Sequence, residues 1–432
     1  MKHIGWFTKV LLLVLMSLQV LLAGGTNRTS LFGAKTTSLN GLYFAGIDGI
    51  SNVFMNPAGL SYYNQKILEV TGFIKQEENV FNGEAGKLHK SILDSDLNLG
   101  AGIVWPLTEN LTAAFATELL EDFKVNWPYV LLYKQGTSMV SAATDLYNRY
   151  QYRYFSPSIG YKWAKFSAGI TFNVLNVKNT LAFAQSNFDW IGTQGLPAYQ
   201  FDYAQKAWTW NTNLGFMYQV NEELRIGVSI VTPISVTLKG DAATKLYQLT
   251  DSTDIFVKME SKYYAPWRIG IGSVFHLNED ISFNIDLRYN AYNETDEEIK
   301  FIFNNSIWEQ NSKIEDQISG VSASSLFQYY NNSIDVGAGV EYQADSDLKI
   351  YAGYKFSQSP NTEKSYSLLN PTVSQNQFSC GFSYTSEEVT VEGGVLYYLG
   401  VEKSVTGAIY KVNNGRYNVS GVIPTLTLKY KL

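Results

Sequence analysis

The sequence predicts an all-β protein: a transmembrane antiparallel β-barrel of about 14 strands, with an N-terminal hatch (plug) segment inside its lumen. Aromatic residues make up 15% of the 432 residues and charged residues only 17%, against about 25% charged residues in average soluble domains. After residue 25, no apolar run reaches the roughly 18 residues that a membrane-spanning helix needs. From Ile67 onward, apolar and polar residues alternate in runs of about ten to thirteen, which is close to the length of a tilted membrane strand.

The composition also excludes several classes of function. The net charge of -6 gives no basic footprint for nucleic acid. The single cysteine, Cys380, excludes an internal disulfide framework and a CxxC metal site, and His3, His89 and His276 are too scattered for a histidine-rich site. No nucleophile-elbow, zinc-peptidase, P-loop or dinucleotide motif stands in a suitable context. The sequence therefore predicts no enzyme, no catalytic residue, no metal and no cofactor.

The first 25 residues are predicted to be a cleaved signal peptide. Lys2 and Lys9 supply the positive end, Val10–Ala23 is an apolar stretch too short to span a membrane comfortably, and small residues follow it. The predicted organisation is therefore residues 1–25 as the leader, 26–66 as a periplasmic or luminal hatch, and 67–432 as the barrel. The mature protein is expected to leave the cytoplasm.

Fourteen strands are predicted in the barrel. They are Ile67–Gln76, Leu97–Leu107, Glu109–Leu120, Tyr150–Trp163, Lys165–Val177, Ala207–Val220, Glu223–Gly240, Lys262–Leu277, Asp280–Tyr292, Asn332–Ala344, Asp347–Gln358, Ser374–Thr385, Glu388–Gly400 and Gly421–Leu432. Pro233 interrupts the seventh. The connections alternate strictly between short polar turns and long loops, and membrane barrels place short turns in the periplasm. Both termini are therefore expected on the periplasmic side of a bacterial outer membrane.

The alternation also assigns the two faces of each strand. In the ninth strand, Phe283, Ile285 and Leu287 are predicted to face lipid, while Asn284 and Asp286 face the lumen. Charged residues predicted to point inward are Glu69, Lys75, Arg225, Arg268, Asp335, Glu341, Glu392 and Lys429. Aromatic residues near strand ends are expected to form two interfacial girdles: Trp105, Trp163, Trp208, Trp210, Trp267, Tyr289, Tyr292, Tyr397 and Tyr398. A soluble propeller would show a repeat of roughly 40–50 residues, and no such repeat is found.

The segment between leader and barrel, Leu31–Tyr63, is rich in Gly and Asn, poor in charge, and contains Asn56-Pro57-Ala58. A barrel of 14 strands encloses a lumen too wide for side chains alone to fill, so a plug is expected there. Gly and Asn suit a chain that turns often. Pro57 fixes its own φ and favours an extended Asn56. The alternative is that this segment forms a turn in the periplasm and never enters the lumen.

These features resemble the FadL/TodX family of outer-membrane transporters for hydrophobic compounds. The shared pattern is Gly33-Ala34, the stretch Ala45–Gly49, Asn52 and Asn56-Pro57-Ala58, followed by about 14 strands. The resemblance implies passive uptake of long-chain fatty acids or aromatic hydrocarbons by loop capture, luminal binding and hatch-gated lateral or periplasmic release. It implies that Asn52, Asn56, Pro57 and Ala58 belong to the gating hatch. Implied partners are a hydrophobic ligand, outer-membrane lipid and, for the amphipathic last strand, the barrel-assembly machinery.

Ligand-binding residues have no motif of their own. The predicted loop Glu121–Arg149 carries "WPYVLLY", so Trp127, Tyr129 and Tyr133 are candidate capture residues, although packing between loops explains them equally well. The third strand is rich in small residues and is a candidate for the edge of a lateral gap. Two other functions stay open: a shuttle or attachment subunit of a protein-secretion machine, and a structural surface barrel.

Overall fold

A computed structural model describes residues 33–39, 41–84, 86, 88–135, 138–185, 199–246, 255–305, 315–316, 321–322 and 324–432. The predicted leader, residues 1–25, lies outside these ranges. Among the described residues, no helix has both the length and the apolar character to cross a membrane.

The barrel strands, numbered here in chain order, are as follows. β1 is Ile67–Gly83, β2 Asp94–Pro106, β3 Leu111–Gln135, β4 Ser138–Trp163, β5 Phe166–Gln185 and β6 Tyr199–Gln219. β7 comprises Leu224–Val231 and Ile234–Leu246, and β8 comprises Ile255–Ala265 and Arg268–His276. β9 is Ile281–Asn290, β10 Ser333–Gln343, β11 Leu348–Ser357, β12 Gln375–Ser386, β13 Val389–Gly400 and β14 Gly415–Lys431. Short strands in the connections are Leu88–Lys90, Glu298–Phe303, Glu315–Asp316, Val321–Ser322, Ser325–Phe327 and Lys403–Val405.

The predicted 14-strand antiparallel barrel is confirmed, and it is closed. Each strand pairs with its neighbour in the chain, and β14 returns to β1 with a register that runs from Ile67↔Lys431 to Gly83↔Gly415. The seventh strand breaks at Pro233, as the sequence predicts, and the eighth breaks at Pro266. Both breaks follow from the lack of a backbone N–H in proline, which therefore cannot donate to the ladder.

The prediction that Glu121–Arg149 is a loop was wrong. β3 and β4 form one long hairpin whose register runs from Leu111↔Tyr161 to Gln135↔Ser138, with a bulge between Leu119 and Glu121. The predicted strand lengths were limited to the thickness of a membrane. Two strands can keep pairing beyond that thickness, and β3 and β4 do so. The short-turn ends, by contrast, were predicted to within two residues, because polar turn residues mark them.

The two faces of the strands follow the predicted alternation. Phe283, Ile285 and Leu287 are exposed on the outer surface, whereas Asn284 and Asp286 are buried. All eight charged residues predicted to point inward are buried or partly buried. Two predicted girdle residues are instead enclosed: Tyr292 and Tyr398 are both buried, and the Tyr398 hydroxyl donates a 2.7 Å hydrogen bond to Glu77. Their positions next to a loop hid this from the alternation pattern.

Residues 33–63 pack against the inner face of the strands. The segment contains two short helices, α1 (Ala34–Ser38) and α2 (Ser51–Met55), and a 3-10 helix (Pro57–Tyr62). α1 contacts β11 to β14, α2 contacts β3 and β4, and the 3-10 helix contacts β3 to β6. These contacts are consistent with a plug in the lumen. The boundaries of the hatch and its action as a gate stay predictions.

Glycines on the inner face of the strands make room for this segment. A Cβ atom at Gly160 would lie 2.8 Å from the Pro57 carbonyl oxygen, and one at Gly394 would lie 2.6 Å from the Ala34 carbonyl oxygen. Similar close approaches to residues 34–58 recur around the wall. The glycines are Gly102, Gly160, Gly169, Gly215, Gly227, Gly270, Gly339, Gly381 and Gly394. We call this set the glycine belt. Because side chains would fill the space that the segment occupies, the belt determines how closely backbone approaches wall.

The variant Gly169→Ala tests the belt. Its Cβ atom would lie 2.7 Å from the Ala58 nitrogen, and backbone on both sides leaves no flexible group to move away. We expect a loss of about 1–3 kcal/mol in stability, the usual cost of overpacking, measured as a lower unfolding midpoint in detergent. Gly72→Ala is the matched control, because its Cβ atom meets a flexible Leu99 side chain at 3.1 Å. Equal midpoints for the two variants would contradict close backbone packing.

Candidate functional site

The backbone of the N-terminal segment is irregular, and strand side chains satisfy it. Thr171 donates to the Val53 carbonyl at 2.8 Å, and Asn213 donates to the Phe54 carbonyl at 2.9 Å. On β9, Asp286 accepts a hydrogen bond from the Phe44 N–H at 2.8 Å. Buried backbone groups need such partners, because losing them costs as much as a lost hydrogen bond. The polar inner wall therefore holds an irregular chain in one place.

Asn56 ties two turns of the segment to two strands. Its amide donates to the Phe44 carbonyl at 2.6 Å and to the carbonyls of Phe216 (3.1 Å) and Val228 (3.2 Å), on β6 and β7. Its oxygen accepts from the Ala58 N–H at 3.1 Å, which caps the 3-10 helix that begins at Pro57. Asn56 is extended, as expected of a residue before proline. The structure thus brings Asn56, Pro57 and Ala58 together at the wall.

Asn52 acts within the segment. Its side-chain oxygen accepts from the Asp48 N–H at 2.8 Å, and its amide donates to the Gly46 carbonyl at 2.9 Å. Since Asn52 is buried, both bonds are formed away from water. Asn52 therefore shapes the turn that leads into α2. The gating roles predicted for Asn52, Asn56, Pro57 and Ala58 stay predictions.

A buried cluster of charges lies between the segment and the wall. The Lys429 ammonium group on β14 lies 2.6 Å from Asp48 and 2.8 Å from Glu392. Next to it, Lys35 forms a 2.8 Å ion pair with Glu341 on β10. Two of these pairs join the N-terminal segment to strands. Removing one partner from a buried pair leaves an uncompensated charge, at a cost of about 3–5 kcal/mol.

The charge state of Asp48 depends on this contact. Burial opposes its ionisation, but Lys429 and Lys35, with hydrogen bonds from Lys429 and Thr36, outweigh it and lower the pKa of Asp48 to about 2. Because the pKa of Asp48 in the folded protein is below the value of 3.8 for an unperturbed aspartate, Asp48 stabilises the seated segment above pH 4. That contribution is lost as the pH falls through about 2.

We predict that Asp48→Asn loosens the segment at neutral pH by about 2 kcal/mol, since each pKa unit corresponds to about 1.4 kcal/mol. The loss stays below the cost of an unpaired buried charge because Glu392 still pairs with Lys429. The measurement is ion conductance across planar bilayers between pH 7 and pH 2. Conductance of the native protein should rise below about pH 4, and that of Asp48→Asn should be higher at pH 7 with a flatter profile. Asp347→Asn, in an exposed turn, removes the same charge as a control. Identical profiles for the two variants would rule out a role for Asp48.

Beyond the N-terminal segment, the inner faces of β4 to β8 become apolar and aromatic. Along β4 the inward residues change from Ser158 and Ser156 to Tyr154, Tyr152 and Tyr150. The Phe54 ring of α2 meets the Tyr154 ring edge-on at 6.1 Å. The aromatic lining continues onto other strands through residues of the same buried cluster: Leu175, Val177, Phe183, Phe201, Tyr203, Tyr263 and Leu396. On β4 to β8 the inner wall therefore changes from polar residues beside the segment to apolar residues beyond it. On β9 to β11 it stays charged, with Arg288 2.8 Å from Asp335 and Lys355 buried beside them.

Of the three candidate capture residues, the structure describes the side chain of Trp127. Trp127 is 2% exposed, and its indole N–H donates to the Leu368 carbonyl at 2.5 Å. The neighbouring Asn148 donates to the Leu369 carbonyl at 2.9 Å. Trp127 thus packs the β3–β4 hairpin against the connection between β11 and β12. The side chains of Tyr129 and Tyr133 lie outside the described residues, so the ligand contacts predicted for all three stay predictions.

A pocket among the long connections was missed by the sequence analysis. It is lined mainly by apolar and aromatic residues, including Leu181, Leu326, Phe327, Tyr366, Leu369 and Tyr410. The residues come from four separate parts of the chain and share no motif. Only their contacts in the folded protein reveal them.

The ladder between β2 and β3 is interrupted. Its described register runs from Pro106↔Thr112 only to Ala101↔Thr117, although β2 stays paired with β1 as far as Asp94. Further along, the two strands meet again through an ion pair between Lys124 and Asp96 at 3.1 Å. We call the interval between these contacts the β2–β3 window; it is bounded by residues 97–100 and 118–123. The bulge at Leu119 in β3 lies within it, so the predicted third strand does border the interruption.

A buried carboxyl group lies at the window. Glu118 is 0% exposed, and neither of its carboxyl oxygens has a hydrogen bond among the described residues. A Cβ atom at Gly100, across the window, would lie 2.9 Å from the Glu118 carboxyl carbon. Because glycine has no Cβ atom, Gly100 leaves room for the Glu118 carboxyl group.

The closed barrel of 14 strands and its apolar outer surface define a membrane β-barrel of the outer-membrane type. The family model described as "Outer membrane protein transport protein (OMPP1/FadL/TodX)" matches residues 34–432. The chain belongs to this family, which confirms the predicted resemblance. The family is one of transport channels rather than enzymes.

Solved structures show the same fold. A Pseudomonas aeruginosa FadL homologue is 12% identical with a TM-score of 0.75, covering 95% of this chain and 99% of that one. The P. putida toluene transporter TodX is 14% identical with a TM-score of 0.73, covering 94% and 99%. Among curated proteins, NMB0088 of Neisseria meningitidis serogroup B is 22% identical over 190 residues, 41% of this chain and 39% of that protein. Matches this distant establish the fold, and the substrate has to be argued from this chain.

Proposed function

We propose that the protein carries hydrophobic small molecules, long-chain fatty acids or aromatic hydrocarbons, passively across the outer membrane. The observation that carries the proposal is the change from polar to apolar side chains along the inner wall. On β4 to β8, apolar and aromatic side chains line the half nearer the long connections, and the β2–β3 window interrupts the wall next to β4. Apolar ligand sites in proteins are typically lined in this way, with few polar groups.

The route begins at the long connections, which the proposal places outside the cell. The pocket around Tyr366 and Tyr410 is the candidate for first contact with the ligand. From there a ligand meets three tyrosines: the Tyr263 ring on β8 lies 5.4 Å from the Tyr150 ring and 5.8 Å from the Tyr152 ring, both on β4. An apolar ligand gains free energy by leaving water at each step. Diffusion from a weaker site to a tighter one therefore requires no cofactor.

Release through the β2–β3 window fits the chemistry of an apolar ligand. Outside the window, Leu97 and Leu99 are exposed on the outer face of β2, where they would face lipid. A hydrophobic molecule that leaves here enters the bilayer and never crosses water. Residues 33–63 close the direct path to the periplasm in this account, and displacement of this hatch would open it. The solved relatives TodX of P. putida and TbuX of Ralstonia pickettii are toluene transporters, which favours the same class of ligand.

Deleting Leu120 tests the window. This residue has no partner in the β3–β4 register, so its removal restores an unbroken ladder and should let β3 straighten onto β2. We expect uptake of radiolabelled toluene and oleate by cells that produce the variant to fall to the level of cells without the protein.

Leu120→Ala is the matched control, because it keeps the bulge and shortens only the side chain. Heat-shifted migration on gels shows whether each variant is folded in the membrane. Undiminished uptake by a folded deletion variant would contradict lateral release. If the native protein carries neither compound in a broad panel of fatty acids and hydrocarbons, the transport proposal itself is wrong.

A further inference from the structure

Three lysines form a row across the outer face of β5, β6 and β7. The strand register places Lys178 opposite Lys206, and Lys206 opposite Lys239. All three side chains are exposed. They share the outer face with Trp208, which is 62% exposed. The row therefore points away from the lumen.

The aromatic girdles give the level of the row. On β6, Trp208 and Tyr218 are both exposed on the outer face, and their ring neighbours Phe155 and Phe166 extend the two girdles onto adjoining strands. At about 3.3 Å per residue and a tilt of about 40°, the ten-residue interval rises about 25 Å. That is the height of the apolar band of a membrane barrel. Lys206 lies two residues beyond the upper girdle, at the level of lipid headgroups.

The row carries more positive charge than its neighbours neutralise. Glu260 lies opposite Lys239, with 3.6 Å between the ammonium nitrogen and a carboxyl oxygen. The nearby Asp241 is paired with Lys258. For Lys178 and Lys206, no ion pair is found among the described residues. Like charges directly opposite on neighbouring strands are destabilising, so the arrangement calls for an anion on the outer surface.

We propose that Lys178, Lys206 and Lys239 bind the phosphate groups of lipid A, the anionic glycolipid of the outer leaflet. Neighbouring strands lie about 4.8 Å apart, so three ammonium groups span roughly 10 Å and can reach more than one phosphate. Below them, Trp210 (61% exposed) and Phe172 (44%) offer apolar surface to acyl chains. The proposal rests on the orientation given under the proposed function, with the long connections outside the cell.

The experiment measures lipid A binding to the full-length protein in detergent. Native lipid A is compared with lipid A whose phosphates have been removed. The variant K178Q/K206Q/K239Q should bind native lipid A about 10- to 100-fold more weakly, because each lysine near a lipid surface contributes up to about fivefold. K178R/K206R/K239R should retain binding. The charge-matched control K66Q/K165Q/K431Q, at the short-turn end, should bind like the native protein.

Three results would overturn the proposal. They are unchanged lipid A binding by the glutamine variant, equal binding of dephosphorylated lipid A, and equally tight binding of phosphatidylglycerol micelles. If the glutamine variant does not fold, as shown by circular dichroism, K206Q alone replaces it, and unchanged binding by K206Q has the same meaning. Toluene uptake by the same variants is measured in parallel, so a failure of lipid binding and a failure of transport are told apart.

Discussion

The structure depends on one constraint: a barrel of 14 strands encloses more space than its own side chains can fill. Here the described residues between 33 and 63 pack against the inner face of the wall, and the glycine belt lets their backbone approach it closely. The wall supplies hydrogen bonds that an irregular chain cannot make internally, such as those from Thr171 and Asn213. The charged side chains of this segment form ion pairs with the wall, Asp48 with Lys429 and Lys35 with Glu341.

The packing of this segment against the wall explains how polar and apolar side chains are distributed on the inner face. Polar and charged inner residues lie beside the N-terminal segment, which needs hydrogen-bond partners, and on β4 to β8 apolar and aromatic residues lie beyond it. Asn56 belongs to the first zone, with bonds to two strands, whereas Tyr150 and Tyr263 belong to the second. The interruption between β2 and β3 begins where the ladder passes Ala101 and Thr117, beside the apolar zone. A path for an apolar ligand and a barrier to water can therefore coexist in one barrel.

The fold was largely predictable because two-residue alternation and polar turns are local signals. They gave all 14 strands, the lipid face of Ile285 and the inward face of Asp286. The extended β3–β4 hairpin was not predictable, since alternation continued into a stretch that was read as a loop from membrane thickness alone. The enclosure of Tyr292 and Tyr398 depends on loops that fold back over strand ends.

The site was predictable only where a motif exists. Asn56-Pro57-Ala58 marked the contact with the wall, and the small residues of the third strand marked the neighbourhood of the window. The glycine belt could be seen in the sequence as inward glycines that recur on successive strands. The residues that these glycines approach are known only from the folded structure. Glu118 and the pocket around Tyr366 bring together residues distant in sequence, and no local pattern records such meetings.

The central claim is that the barrel passes hydrophobic molecules while excluding water and ions. The most direct measurement records both properties on one preparation of the native protein in liposomes. Toluene and oleate entry is followed by an internal reporter, and ion conductance is followed electrically after fusion to a planar bilayer. The account predicts entry of a hydrophobic compound well above that of protein-free liposomes, with negligible ion conductance at neutral pH. Steady conductance of a wide open pore, or no entry above that of protein-free liposomes, would contradict it.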